Sequence, residues 1–148
     1  MRELIDTDPG PQLRIRIDRS SGRECVALLG ELDIFTAQSL EDAVLGLEDT
    51  NPGLVVIDLT GVSFIDSTGL SVLLTASQRA REQGRRLVVV RPPLPALRVF
   101  TLTRVDAGME CVDDPGDVTA SHSDRETTYA RVIKLRRRLR DWKPAQRS

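Results

Sequence analysis

Four small or polar residues, Asp66, Ser67, Thr68 and Gly69, stand between the apolar runs VSFI (62–65) and LSVLL (70–74). A serine hydroxyl in that position has three chemistries open to it. It can accept a hydrogen bond from an early amide of the helix that follows, a capping role worth about 1 kcal/mol. It can attack a substrate, or it can receive a phosphoryl group. Attack is disfavoured, because the pattern is Asp-Ser-Thr-Gly rather than G-x-S-x-G and the only histidine, His122, lies in a polar stretch away from the sheet-forming runs. No catalytic residue is therefore assigned. A phosphate on Ser67 would sit at a helix N-terminus, where free amides and the helix dipole tolerate about −2 of added charge. Asp66, with Glu31 and Asp33 from the end of a neighbouring strand, would make that surface anionic enough to repel an acidic partner or one holding nucleotide phosphates. Capping and phosphoacceptance both stay open on residue types alone.

The elements that carry this corner are legible from periodicity. LRIRI (13–17) alternates apolar and charged residues, and RSSG turns it into CVALLG (25–30), a hairpin-like start. In FTAQSLEDAVLGLE, Thr36 is the expected N-cap, and Leu40, Ala43, Val44 and Leu47 fall on one helical face. LVVIDLT (54–60) reads as a strand buried on both sides. The helix from about Ser67 is expected to bury Leu70, Leu73, Leu74 and Ser77 and to stop at Gly84, which can take the left-handed C-cap. RLVVV (86–90) is a further buried strand, Pro95 opens a short helix, and GMECV (108–112) supplies an edge strand. This order predicts an α/β fold, a mixed sheet with helices joined by parallel crossovers.

Bulk properties narrow the function. The chain has 148 residues, 40% hydrophobic but only 3% aromatic, enough for one domain with an aliphatic core and unsuited to an aromatic nucleic-acid platform. Its net charge of −1 conceals −7 over residues 1–118 and +6 over 119–148. Cys25 and Cys111 lack any CxxC or Cys/His spacing, so neither a disulfide framework nor a metal site is indicated. No cofactor loop of Walker type is present, and the paired Asp113 and Asp114 read as linker solvation. With no apolar leader and no membrane-length apolar stretch, a soluble, cytoplasmic protein is expected.

Two blocks, LLGELDIFTAQSLEDAV (28–44) and LVVIDLTGVSFIDSTGLSVLLTASQRAREQGRRLVVVRP (54–92), with a weaker third in LRVFTLTRVD (97–106), resemble the STAS domains, and among them the bacterial anti-sigma factor antagonists. GELD followed by DLTGVSFIDSTG is specific as a combination. The resemblance implies a STAS-type mixed β-sheet packed with α-helices and a partner-switching role rather than an enzyme. In that role the unphosphorylated protein binds an anti-sigma factor that is also a serine kinase of the GHKL type, which frees a sigma factor. The kinase then phosphorylates Ser67, with Thr68 as a second candidate acceptor, and a PP2C-type phosphatase resets the cycle. Asp66, Ser67, Thr68 and Gly69 match the phosphoacceptor loop, and Gly30, Glu31, Leu32 and Asp33 match the neighbouring loop of the binding face. Gly30 as a strand end and Asp33 as a turn residue are the plainer readings of that second match. A constitutive, stressosome-like scaffold and a nucleotide-binding STAS domain are the alternatives, the latter weakened because no basic residue flanks the corner.

The expected organisation is a disordered lead (1–12), a STAS domain (13–114), and a linker with an extra basic C-terminal helix (115–148). In that helix Ser123 and Glu126 form a capping box, and Val132, Leu135, Leu139 and Trp142 make one apolar stripe among arginines and lysines. It falls outside the family pattern. It could dock on the acidic body, grip a partner, lie on an anionic membrane or touch nucleic acid. The tail's partner is unknown, direct DNA binding by the body is not expected, and monomer and homodimer are both open.

Overall fold

The alternation of LRIRIDRS, followed by a turn through Gly22 at φ 71°, builds an antiparallel hairpin of β2 (Leu13–Ser20) and β3 (Arg23–Leu32). A computed structural model describes residues 2–6, 12–20 and 22–118. Leu13, Ile15 and Ile17 are buried while Arg14 and Arg16 face out, as period-2 patterning requires. Outside β2 the structure departs from the expected disordered lead. Arg2–Asp6 is a strand, β1, paired antiparallel from Arg2↔Asp18 to Asp6↔Arg14. The edge of β2 would otherwise present unpaired backbone groups, and five residues are enough to cover it. The Pro and Gly behind the expectation of disorder, Pro9 and Gly10, come after β1 ends.

The rest of the sheet is parallel at its centre. β3 is joined through α1 (Ala37–Glu48) to β4 (Leu54–Ile65), and β4 through α2 (Ser67–Glu82) to β5 (Arg86–Val90). Both pairs run parallel, as the crossovers predict. After α3 (Ala96–Thr103), β6 (Glu110–Val112) lies beside β5, so the six strands stand in sequence order across the sheet. This is the mixed α/β sheet expected from the pattern. The chain's internal contacts divide it into residues 1–111 and 112–148. In the second unit, Asp114 Oδ1 accepts from the Gly116 amide at 2.7 Å and opens a short 3-10 turn, Pro115–Asp117. The expected basic helix, with His122, lies outside the described residues.

One core joins the helices to one face of the sheet. Leu40, Val44 and Leu47 of α1 meet Val55, Ile57 and Leu59 of β4, Leu70 and Leu73 of α2, and Phe100 of α3. The buried face of α1 is the one the spacing indicates. On α2 the stripe is completed by Ala76 and Ala80, while Leu74 is only half-buried. Helix α2 ends as predicted at Gly84, whose φ is 68°. The Gly84 amide donates to the Arg81 carbonyl and the Arg85 amide to the Ala80 carbonyl, the Schellman arrangement.

Where α1 and α2 end, an ionic cluster links them. Glu48 accepts from Arg79 Nε at 2.8 Å through both carboxylate oxygens, with Arg85 Nη1 at 3.8 Å and Arg85 Nε donating to the Pro52 carbonyl. No helix of the described residues is long and apolar enough to cross a membrane.

Near the other end of β3 the backbone demands glycine. Gly30 has φ 120°, and a Cβ there would stand 2.1 Å from the Gln12 carbonyl oxygen, beside a register shift in the β3–β4 ladder. Gly30→Ala is expected to lower stability by about 1–3 kcal/mol in urea denaturation, the cost of overpacking with strain. Cys25, on β3, is free, and burial, aided by the Asp58 carboxylate, pushes its thiol up to about 11. The thiol therefore stays protonated well above neutral pH. Iodoacetamide at pH 8 is expected to alkylate Cys25 in the native protein roughly a hundredfold more slowly than after unfolding, as read by peptide mass spectrometry.

Candidate functional site

β3 and β4 finish side by side. Leu32↔Ile65 is their last register pair, so the next residue of each strand, Asp33 and Asp66, opens a loop at the same carboxyl edge of the sheet. Open α/β sheets place ligand sites at such edges. The two loops are fastened by two carboxylates.

Asp33 closes its own loop. Its Oδ1 accepts from the amides of Phe35 at 2.9 Å and Thr36 at 3.1 Å, and its carbonyl accepts from the Ala37 amide at 2.8 Å. Thr36 stands at the N-cap position of α1 as expected, but its side chain makes no capping hydrogen bond to that helix. Its hydroxyl donates to the Glu31 carbonyl at 2.8 Å and accepts from the Asp33 amide at 2.9 Å, which makes Asp33 and Thr36 reciprocal partners in a capping box that starts one turn earlier.

Asp66 fastens the two loops together. It is the N-cap of α2, with extended backbone (φ −114°, ψ −176°), and its Oδ1 accepts from the Gly69 amide at 3.0 Å. Its Oδ2 accepts from the Ile34 amide of the other loop at 3.1 Å. The cap is therefore Asp66, and Ser67 is the first helical residue. Asp and Ser are both good caps, and the backbone angles decide between them.

This assignment releases the serine. Ser67 is exposed, and its hydroxyl has no hydrogen-bond partner among the described residues. As residues of the first turn, Ser67 and Thr68 have amides with no acceptor inside the helix. Thr68 is half-buried, and Gly69 is buried against β3, where a Cβ would meet Leu32 Cγ at 2.7 Å and the Leu32 carbonyl oxygen at 2.8 Å. Glu31 is half-buried, its amide donating to the Gln12 carbonyl at 2.6 Å. The residues matched to the binding face, Gly30, Glu31, Asp33 and Asp66 to Gly69, thus gather at one edge in different roles. Gly30 and Gly69 permit close approach of the backbone, Asp33 and Asp66 hold loops, and Ser67 alone offers an unengaged, exposed hydroxyl.

Sequence reasoning missed Ile34, Phe35 and Phe64, which are large, apolar and exposed around this edge. Their signal was available: Ile34 and Phe35 lie in a turn, outside every periodic core position of DIFTAQSLEDAV. No cluster of His, Cys, Asp or Glu among the described residues has a geometry suited to a metal ion.

A mixed sheet with helices packed on its core face is the fold shared with the STAS-domain structures this chain resembles. The STAS domain model matches residues 14–118, more than two-thirds of the chain, and the protein belongs to that family. It is similar to proteins named as anti-sigma factor antagonists. It is 29% identical over 107 residues to the anti-sigma-B factor antagonist of Listeria monocytogenes, covering 72% of this chain and 93% of that one. It is 32% identical over 79 residues to the anti-sigma-F factor antagonist RsfB of Mycobacterium tuberculosis, a match that takes in 53% of this chain and 65% of RsfB. The crystal structure of an anti-sigma factor antagonist from Mycobacterium paratuberculosis superposes with a TM-score of 0.61 at 29% identity, over 71% of this chain and 89% of that one.

The division of roles can be measured. Asp66→Ala removes acceptors from two amides and is expected to cost about 1–2 kcal/mol in urea denaturation. Ser67→Ala, which removes an unbonded exposed hydroxyl, is expected to change stability by less than about 0.5 kcal/mol. Equal losses for the two variants would return the capping role to Ser67.

Proposed function

We propose that this protein is an anti-sigma factor antagonist of the partner-switching kind. Unphosphorylated, it binds an anti-sigma factor that is also a GHKL-type serine kinase, and the sigma factor is released. The kinase phosphorylates Ser67, the antagonist dissociates, and a PP2C-type phosphatase restores it. These events belong to the cytoplasm, where sigma factors act. The observation that carries this reading is the exposed, unpartnered Ser67 hydroxyl at the first residue of α2, free because Asp66 performs the capping. The names of the similar proteins support the same role.

The chemistry of the switch follows from that placement. A phosphoryl group on Ser67 adds about −2 beside first-turn amides, a setting that favours anions by about 0.3–1 kcal/mol at an exposed helix end, so the helix has no reason to unfold. The same charge stands next to the Asp66 carboxylate and near Asp33 and Glu31. A partner still holding nucleotide phosphates would meet a strongly anionic face and leave. The domain is a substrate and a binder in this cycle.

The test is to incubate the purified protein with ATP and each GHKL-type anti-sigma kinase of the same cell and to map the modified residue by mass spectrometry. Phosphate on Ser67 is expected, with Ser67→Ala remaining bound to its kinase and Ser67→Asp failing to bind. Absence of binding to every such kinase, together with regulated transcription that ignores both substitutions, would sink the reading.

A further inference from the structure

The protein has three phenylalanines, and they are used in opposite ways. Phe100 of α3 is the largest fully buried side chain among the described residues. Phe35 and Phe64 are 83% and 48% exposed, and Ile34, next to Phe35, is 65% exposed. A lone exposed apolar residue needs no explanation, but these three stand at the carboxyl edge of β3 and β4 that carries Ser67. Their backbone is held. The Ile34 amide is bound by Asp66 and the Phe35 amide by Asp33, while Phe64 is paired with Glu31 in the ladder. Apolar side chains presented on fastened backbone lose little conformational freedom when a partner covers them, which is the property of an interface anchor.

Charge selects the partner. The apolar residues lie among the carboxylates of Glu31, Asp33 and Asp66. Leu29 and Leu45 are also exposed, and another exposed apolar pair, Leu94 and Leu102, stands beside the exposed arginines Arg98 and Arg104 in and around α3. We infer that Ile34, Phe35 and Phe64 form the apolar anchor by which the protein docks on the anti-sigma kinase of the proposed cycle, entering an apolar pocket bordered by lysine or arginine. This inference rests on that functional reading. In it, affinity comes from the anchor, and Ser67 at its margin supplies the release signal, so the two properties can be separated by mutation.

The experiment compares wild type with Phe35→Ser, Phe64→Ser and Leu102→Ser, each checked for unchanged thermal unfolding. Binding is measured by titration calorimetry against the kinase loaded with a non-hydrolysable ATP analogue, and Ser67 phosphorylation is followed at subsaturating kinase. Phe35→Ser and Phe64→Ser are expected to weaken binding at least tenfold and slow phosphorylation in step, and Leu102→Ser, 76% exposed on α3, to stay within twofold of wild type. If wild type binds and is phosphorylated but the two Phe variants match it, the anchor is wrong while the functional reading stands. Equal loss in Leu102→Ser, or a wild-type dimer that Phe35→Ser dissociates with kinase affinity unchanged, also overturns the anchor. Failure of wild type to bind any such kinase overturns both.

Discussion

Everything at the carboxyl edge of the sheet depends on the placement of one carboxylate. Asp66 holds the first turn of α2 with one oxygen and the loop after β3 with the other. Hydrogen bonds to an ionised acceptor are among the stronger ones a partly exposed site can make, on the order of 1.5–3 kcal/mol each before solvent screening. The loop that begins at Asp33 is internally braced, and Asp66 sets where that braced unit sits against α2. Because the carboxylate takes over the cap, the next side chain has no structural duty. A free serine in a fixed position is the by-product of a well-made helix start.

Glycine does the corresponding work in the backbone. Gly69 lets the first turn of α2 rest on Leu32 at distances no side chain would allow, and Gly30 lets β3 pass the Gln12 carbonyl. Far from this edge, where α1 and α2 end, the Glu48–Arg79–Arg85 cluster ties the two helices by charge. One end of the domain is held by buried ionic contacts, and the other by single carboxylates facing solvent. That leaves the second end free to meet something else.

Much of this architecture was legible in the sequence, for reasons that separate what periodicity can and cannot carry. The buried face of α1, the stop at Gly84 and the parallel placement of β4 and β5 follow from spacing and from glycine's access to the left-handed region. The identity of the α2 cap did not follow. Asp66 and Ser67 are neighbours of nearly equal capping strength, and only backbone angles distinguish them, while Thr36 keeps the N-cap position of α1 with its hydroxyl bonded into the loop of Asp33. β1 was hidden because its pairing is with an edge rather than with a pattern of its own. Ile34 and Phe35 escaped notice because hydrophobic residues are read as core by default, although their place outside the periodic face of α1 sets them apart from it.

The bond between the Ile34 amide and the Asp66 carboxylate joins residues 32 positions apart, across the whole of α1 and β4. No shorter piece of the chain can close it. A nascent or partly unfolded protein that has made β3 but not yet laid β4 beside it would have Ser67 in its sequence and no fastened loop next to it. The edge that carries Ser67 is thus a non-local object, created only when the central parallel pair has formed. A partner that recognises this edge recognises completed folding with it.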